Sequence, residues 1–186
     1  MKVICVDSQS ETLVAYLKPD NALNFKRLPF FLPDFSKSIV ARMRVAVRID
    51  RIAKCVEQRF ASKYYSEVAL GIEFLASDII GNARNNGLPW TLGTSFDDSL
   101  VLSETVAKEV AQGKEVGLMH NGHLIESGVV ETESIDSAIA RLSETMKLKT
   151  GDWVLMAVGQ ASDRLSIGDV LQVRMEPLLS LDLAVK

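Results

Sequence analysis

The chain has 186 residues, of which 47% are hydrophobic and 24% charged, with a formal net charge of −3. That length suffices for one domain with a real core, and the mild acidity excludes a general attraction to nucleic acid or to an anionic membrane surface. No apolar run approaches the roughly 20 residues a membrane-spanning helix needs. The two cysteines, Cys5 and Cys55, are far apart and match no metal or redox motif, so they read as buried free thiols in a reducing cytoplasm.

Met1 to Val6 reads as a short apolar strand, too brief and too soon acidic at Asp7 for a signal peptide. Asp7 to Thr12 is polar and turn-like, and Leu13 to Leu17 is a second strand closed by the turn signal Lys18-Pro19-Asp20-Asn21. Pro29 to Ser36 is aromatic and proline-bounded, hence extended. From Ser38 to Asp50 the chain alternates with period two. Ile39, Ala41, Met43, Val45, Val47 and Ile49 share one face, and Val40, Arg42, Arg44, Ala46 and Arg48 the other. This pattern predicts a strand half-buried on its apolar face. Its three arginines line either water or a pocket.

Ile52 to Val56 is expected to pair back or continue that meander, and Cys55 to Ser66 to be partly helical, with Phe60, Tyr64 and Tyr65 on one face. Val68 to Leu75 is an apolar strand interrupted by one acid, Glu73. Asp78 to Asn86 predicts a short helix that ends at Gly87 and is stopped by Pro89. Phe96 to Ser103 is loop and strand. Glu115 to Val130 carries the clearest hairpin signal, with Asn121-Gly122 suited to a type I′ turn. Ile135 to Met146 is an amphipathic helix with Ser134 as its expected N-cap. Trp153 to Val158 is a buried strand, Ile167-Gly168-Asp169 a turn and Val170 to Met175 an alternating strand. Leu178 to Val185 is a last strand or a dimer contact. The sum is a β-rich α+β fold with short helices, in one domain spanning 1–186.

Several of these pieces, in order, resemble the fumarylacetoacetate hydrolase family in its acylpyruvate hydrolase-like form. They are the opening Lys2 to Val6, the Tyr16 to Asp20 turn, Phe30 to Ser36 with the strand ending at Ile49, Phe60 to Tyr65, Leu70 to Phe74, Asp78 with Gly87-Leu88-Pro89-Trp90, Ser95-Phe96-Asp97, the Asn121-Gly122 hairpin, and the turns Lys149 to Asp152 and Ile167 to Asp169. The resemblance implies a mixed β-roll or sandwich enclosing a cleft, in a homodimer. It also implies Mg²⁺ or Mn²⁺ held by three carboxylates, two from a Glu-x-Glu pair on one strand. Hard cations take oxygen ligands, residues i and i+2 of a strand point the same way, and such a metal stabilises an enolate when a C–C bond of a 2-oxoacid breaks.

The chain departs from that pattern where the chemistry sits. The His-Tyr pair reads Val40-Ala41 and the Glu-x-Glu pair reads Arg42-Met43-Arg44. The third ligand position reads Glu73. The Arg-Asp step reads Ser77-Asp78, the following Gln reads Ile80, and the pocket lysine reads Thr94. The Thr-Gly-Thr-Pro loop reads Met156-Ala157-Val158-Gly159, and the N-terminal lid is shortened to Asp7 to Thr12. A divalent ion about 5 Å from one guanidinium is repelled by roughly 6–7 kcal/mol at an effective dielectric of about 20, and arginine supplies no ligand atom. The expectation is therefore no metal cofactor and no catalytic residue. Arg42, Arg44, Glu73 and Thr94 mark a degenerate former pocket. Glu73 is expected to bridge Arg42 and Arg44, two like charges about 7 Å apart on one strand.

The second reading makes Arg42, Arg44 and Lys18 an anion-binding cleft for a small carboxylate. As a whole the chain reads as a pseudoenzyme, a cytoplasmic homodimer acting as a carboxylate binder or as the structural partner of an intact paralogue. The alternative is a working Mg²⁺- or Mn²⁺-dependent hydrolase or decarboxylase of 2-oxoacids. Elsewhere, His120 and His123 read as solvent-facing turn residues, Asp97-Asp98 as a polar loop, and Glu131, Glu133 and Asp136 as the acidic entry to a helix. Ser36, Ser38 and Ser99 have no histidine partner in a recognisable order.

Overall fold

Among the described residues, ten strands and four helices follow in the order β1 (Val3–Ser8), β2 (Val14–Lys18), β3 (Ile39–Arg48), α1 (Gln58–Ala61), β4 (Glu67–Ala76), α2 (Ser77–Asn85), β5 (Leu100–Ala107), α3 (Lys108–Ala111), β6 (Glu115–His120), β7 (His123–Val129), α4 (Thr132–Thr145), β8 (Trp153–Ala157), β9 (Val170–Met175) and β10 (Leu179–Ala184). They belong to a computed structural model that describes residues 1–8, 12–159 and 161–186. Residues 9–11, the middle of the predicted short lid, lie outside that description. The strands form a six-stranded sheet in the order β2-β1-β8-β3-β4-β5 and a four-stranded sheet in the order β10-β9-β6-β7. This is the predicted β-rich α+β architecture.

The alternating stretch forms β3, with β4 antiparallel on one side and β8 antiparallel on the other. Its apolar face goes to the main core. Met43 and Val45 pack there with Leu70 and Ile72 of β4, Leu118 of β6, Val173 of β9 and Leu181 of β10, so this cluster joins the two sheets. Ile135, Ile139 and Leu142 bring the apolar stripe of α4 into the same cluster. The opposite face of β3 is covered as well. Val3 and Cys5 of β1, Ala46 of β3, Ala69 of β4 and Leu100 and Leu102 of β5 form a second apolar cluster there, with Tyr16 packed against it. Arg44 therefore faces protein and not water, and is wholly buried.

Some expectations are corrected. Ile52 to Val56 is not a strand: it makes a single bridge, Ala53 to Leu148. Cys55 then takes a left-handed backbone, φ 52°, which an extended run does not accommodate. Cys55 is also exposed, whereas Cys5 is buried and free. The helix expected from Cys55 to Ser66 shrinks to α1 and one 3₁₀ turn over Ser62–Tyr64. Phe60 is exposed there while Tyr65 is buried, so the aromatics do not share one face. Ser134 lies inside α4. Glu131 holds the N-cap position and accepts a hydrogen bond from the Ser134 hydroxyl at 3.0 Å. The Asn121-Gly122 turn joins β6 to β7 with φ of 52° and 81°, the positive pair that a type I′ turn requires.

Candidate ligand pocket and its ion-pair floor

β3 presents Arg42 and Arg44 two residues apart on the covered face. β4 runs beside it in register, with Arg42 opposite Glu73 and Arg44 opposite Gly71. β1 carries Asp7 near its end, and β2 brings Tyr16 and Lys18 over the same face. Glu73 is wholly buried. One carboxylate oxygen accepts from Arg44 Nε at 2.7 Å, and the other from the Tyr16 hydroxyl at 2.8 Å, with Lys18 Nζ 3.2 Å away. Asp7 Oδ1 accepts from Arg44 Nη2 at 2.7 Å and from Arg42 Nη1 at 2.9 Å. Arg44 Nη1 donates to the Val6 carbonyl at 3.0 Å.

Lys18 also donates to the Ser99 hydroxyl at 2.9 Å and to the Thr94 carbonyl. Thr94 thus enters the site through its backbone. The result is an alternating row, Lys18⁺–Glu73⁻–Arg44⁺–Asp7⁻–Arg42⁺, with one positive charge in excess. The expected bridge is corrected in its membership. Arg44 does pair with Glu73, but Arg42 turns to Asp7, and Lys18 takes the place at Glu73 expected for Arg42. The physical reason is supply: a second carboxylate, Asp7, reaches both arginines from a strand 35 residues earlier, and a buried lysine needs the free oxygen of Glu73 more than a partly exposed arginine does.

Protonation follows from these contacts. Burial alone would raise the Glu73 carboxyl, but Arg44, Lys18 and the Tyr16 hydrogen bond outweigh it and hold the pKa at about 2. Burial and then the charge of Glu73 push the Tyr16 hydroxyl and the Cys5 thiol far above their usual ranges, so both stay protonated. Burial works against the Arg44 charge, but Glu73 leads the contacts that keep its pKa well above the ordinary value.

Above Arg42 opens a cavity of about 230 Å³ lined by Asp7, Tyr16, Arg42, Ile80, Arg84 and Trp90, among others. Arg44 and Lys18 do not line it, because both are sealed beneath. The Arg84 guanidinium lies 5.0 Å from the Trp90 ring, and Tyr16 meets Trp90 edge-on at 5.1 Å. Arg84, Trp90 and Asp7 carried no signal as pocket residues. α2 and the Gly87-Leu88-Pro89 turn bring Arg84 and Trp90 there, and that placement is tertiary. Met156 to Gly159 line a different cavity of about 340 Å³ on the far side of Asp7, together with Val6 and Val45.

Glu126 of β7 is a further residue that sequence reasoning missed. Its Oε2 accepts from the Met43 amide at 3.1 Å, at the edge where β8 leaves β3. Its Oε1, and Nε of Arg42, are buried atoms without a hydrogen-bond partner among the described residues. Burial pushes the Glu126 carboxyl up to about 7, although the Met43 amide and the charges of Arg42 and Arg44 pull the other way. Gly159 makes room for it: a Cβ there would lie 2.5 Å from Glu126 Oε1.

The remaining candidates lie outside this cluster. His120 is not solvent-facing but mostly buried, 2.9 Å from Asp169, while His123 is exposed. Asp97 accepts from Asn21 in an exposed loop. Ser36 donates to Asp78 at 2.7 Å and Ser38 meets Ser77 at 2.8 Å. Among the described residues no group of three or more His, Cys, Asp and Glu side chains gathers as a metal site.

The fold and pocket together define a β-rich α+β protein whose small cleft is floored by a buried row of ion pairs. The chain belongs to the fumarylacetoacetate hydrolase family: the model of the fumarylacetoacetate (FAA) hydrolase C-terminal domain matches residues 5–186. It is 27% identical over 178 residues to the mitochondrial oxaloacetate tautomerase FAHD1 of Bos taurus, covering 93% of this chain and 80% of that protein. The solved Escherichia coli protein 1262 superposes with a TM-score of 0.88 at 27% identity, covering 100% of this chain and 92% of that one. Fumarylpyruvate hydrolase from Pseudomonas aeruginosa, solved with Mn²⁺ and pyruvate, shares the fold at a TM-score of 0.90 and 17% identity, covering 100% of this chain and 89% of that one.

Proposed function

We propose that this chain is a catalytically degenerate member of its family, working without a divalent metal and binding a small carboxylate in the Arg42 pocket. The observation that carries this reading is the saturation of Glu73 by Arg44, Lys18 and Tyr16. A hard cation needs several oxygen ligands with free lone pairs. Here the two strand positions that would supply them carry guanidinium groups, which have none. Asp7, the other carboxylate of the row, is engaged by Arg42 and Arg44. The donor set does not suit Mg²⁺ or Mn²⁺, and no chemical step is assigned to such an ion.

What the residues can do is hold an anion. The row of five charges leaves an excess of +1, and its outermost member is Arg42, whose side chain is 21% exposed. A carboxylate entering the cavity meets that cation at the floor and Arg84 on the wall, with the Trp90 ring as an apolar flank. We propose that the molecule is a homodimer in which this pocket recurs once per chain.

A thermal shift series tests the reading. Oxalate or pyruvate in the presence of EDTA should raise Tm, and MgCl₂ or MnCl₂ alone should not. Stabilisation by Mn²⁺ that Glu73→Gln abolishes would overturn it. A second reading, an active Mg²⁺- or Mn²⁺-dependent 2-oxoacid enzyme, draws support from the 27% identity to oxaloacetate tautomerases. It requires metal-dependent turnover of oxaloacetate or an acylpyruvate.

A further inference from the structure

The reading above leaves one buried acid unused. Glu126 comes from the second sheet and inserts its carboxyl beside the β3 backbone, fixed through Oε2 to the Met43 amide at 3.1 Å. Met43 directly follows Arg42 in the strand. Among the described residues, the buried Oε1 has no hydrogen-bond partner. A buried polar atom left unpaired is costly. The Glu126 carboxyl is fixed to the strand residue that follows Arg42, the cation that faces the pocket. The charged groups acting on Glu126 are Arg42 and Arg44 of β3. The 158–159 segment packed against it brings Gly159, which has no side chain, and its strand neighbours Ile125 and Ser127 are not ionisable.

We propose that the Arg42 pocket binds its carboxylate ligand together with a proton, and that the proton is held on Oε1 of Glu126. This rests on the carboxylate-binding reading and extends it to regulation by pH. Without ligand, the positive charge of Arg42 supports the Glu126 carboxylate. A ligand carboxylate in front of Arg42 cancels that support, and its own negative charge adds to the cost of ionising a buried acid. Ligand and proton therefore favour each other, and by linkage each raises the affinity for the other. The carboxyl already titrates near neutrality, pushed to about 7 by burial, so the coupling falls within an accessible pH range. Other buried acidic groups of the floor do not compete. Glu73 remains ionised, and Tyr16 and Cys5 remain protonated, throughout that range.

The test is isothermal titration calorimetry of the intact protein with oxalate, which is fully ionised above pH 6. Titrations are made at pH 6.0, 7.2 and 8.5, in two buffers of different ionisation enthalpy at pH 7.2. The affinity should fall by about tenfold from pH 6.0 to 8.5. Binding at pH 7.2 should take up a fraction of a proton from the buffer. Glu126→Gln should bind with one affinity across the range and take up none. If oxalate binds equally at pH 6.0 and 8.5 with no proton uptake, the proton link is overturned while the carboxylate pocket stands. If oxalate fails to bind at any pH, both readings fall. Proton uptake that persists in Glu126→Gln assigns the proton elsewhere and also overturns the proposal. Should that variant not fold, Glu126→Met takes its place in the same two-buffer measurement, and a wild type that takes up no proton overturns the proposal by itself.

Discussion

Replacing Glu73 by Gln removes one charge from a wholly buried row and leaves Arg44 and Lys18 with two cationic groups facing a neutral amide. Two independent lines give the size of the loss. The Glu73 carboxyl is held at about 2 against an ordinary 4.5, a difference worth about 3 kcal/mol by linkage. Removing one partner of a buried ion pair costs roughly 3–5 kcal/mol in general. Because Glu73 is fully buried, solvent screening does not reduce either figure. Urea unfolding at pH 7 should therefore show the variant less stable by about 3–5 kcal/mol. The sign of the pH dependence is fixed as well. A depressed carboxyl stabilises the fold above its unfolded pKa, and that contribution disappears as pH falls from about 4.5 through about 2. The gap between wild type and variant should narrow across that window. Arg44→Met should cost a similar amount, and the double variant should lose less than the sum by about 1–3 kcal/mol. A Glu73→Gln protein within 1 kcal/mol of wild type at pH 7, with an unchanged m-value, would refute the reasoning that Glu73 anchors the row.

Asp7→Asn removes the acceptor shared by Arg42 and Arg44 and frees positive charge toward the pocket. Oxalate affinity measured by calorimetry should rise, by about threefold to tenfold, while thermal stability falls. Gly159→Ala places a Cβ 2.5 Å from Glu126 Oε1 at a backbone φ of +66°, so chemical unfolding should report a loss of about 1–3 kcal/mol. The Glu126 carboxyl is raised from 4.5 to about 7. The proton it binds in the fold stabilises fully below 4.5, and that stability is lost as pH rises through 7. Between pH 6 and 8.5, scanning calorimetry should show the wild-type Tm falling more steeply than that of Glu126→Gln.

Much of the frame was legible because backbone geometry leaves local marks. The alternation of Ile39 to Ile49 is β3, the positive-φ pair Asn121-Gly122 is the β6–β7 turn, and Gly87 with Pro89 ends α2. The stretch Ile52 to Val56 was misread because its apolar residues imitate a strand, while what decides it is the left-handed Cys55 and one bridge to distant Leu148. The site was legible only in part, and for a related reason. Arg42, Arg44 and Glu73 lie on paired strands with a strong pattern, so their proximity follows from register. Asp7, Tyr16 and Lys18 come from β1 and β2, beyond β8, and their approach depends on how the sheet curls. Glu126 is farther still. It sits in an exposed-looking hairpin, His123 to Val129, and nothing local says that it is the residue turned inward to cap an amide of β3.

The floor also has an electrostatic logic that extends beyond any single pair. Three carboxylates around a divalent ion, as the family pattern implies, sum to a charge of −1. Three cations alternating with two carboxylates, as Lys18, Arg44 and Arg42 alternate with Glu73 and Asp7, sum to +1. Against that implied pattern the row carries the opposite net sign. Two arginines on one strand could not have been buried alone, since each uncompensated buried charge costs several kcal/mol. They require acids supplied from elsewhere, and the chain supplies Asp7 for both and Glu73 for one. Lys18 then closes the remaining oxygen of Glu73. With its interior members paired, the row can express its excess charge only at its open end. That end is Arg42, the member that faces the cavity, where the carboxylate proposed above would meet a net positive charge.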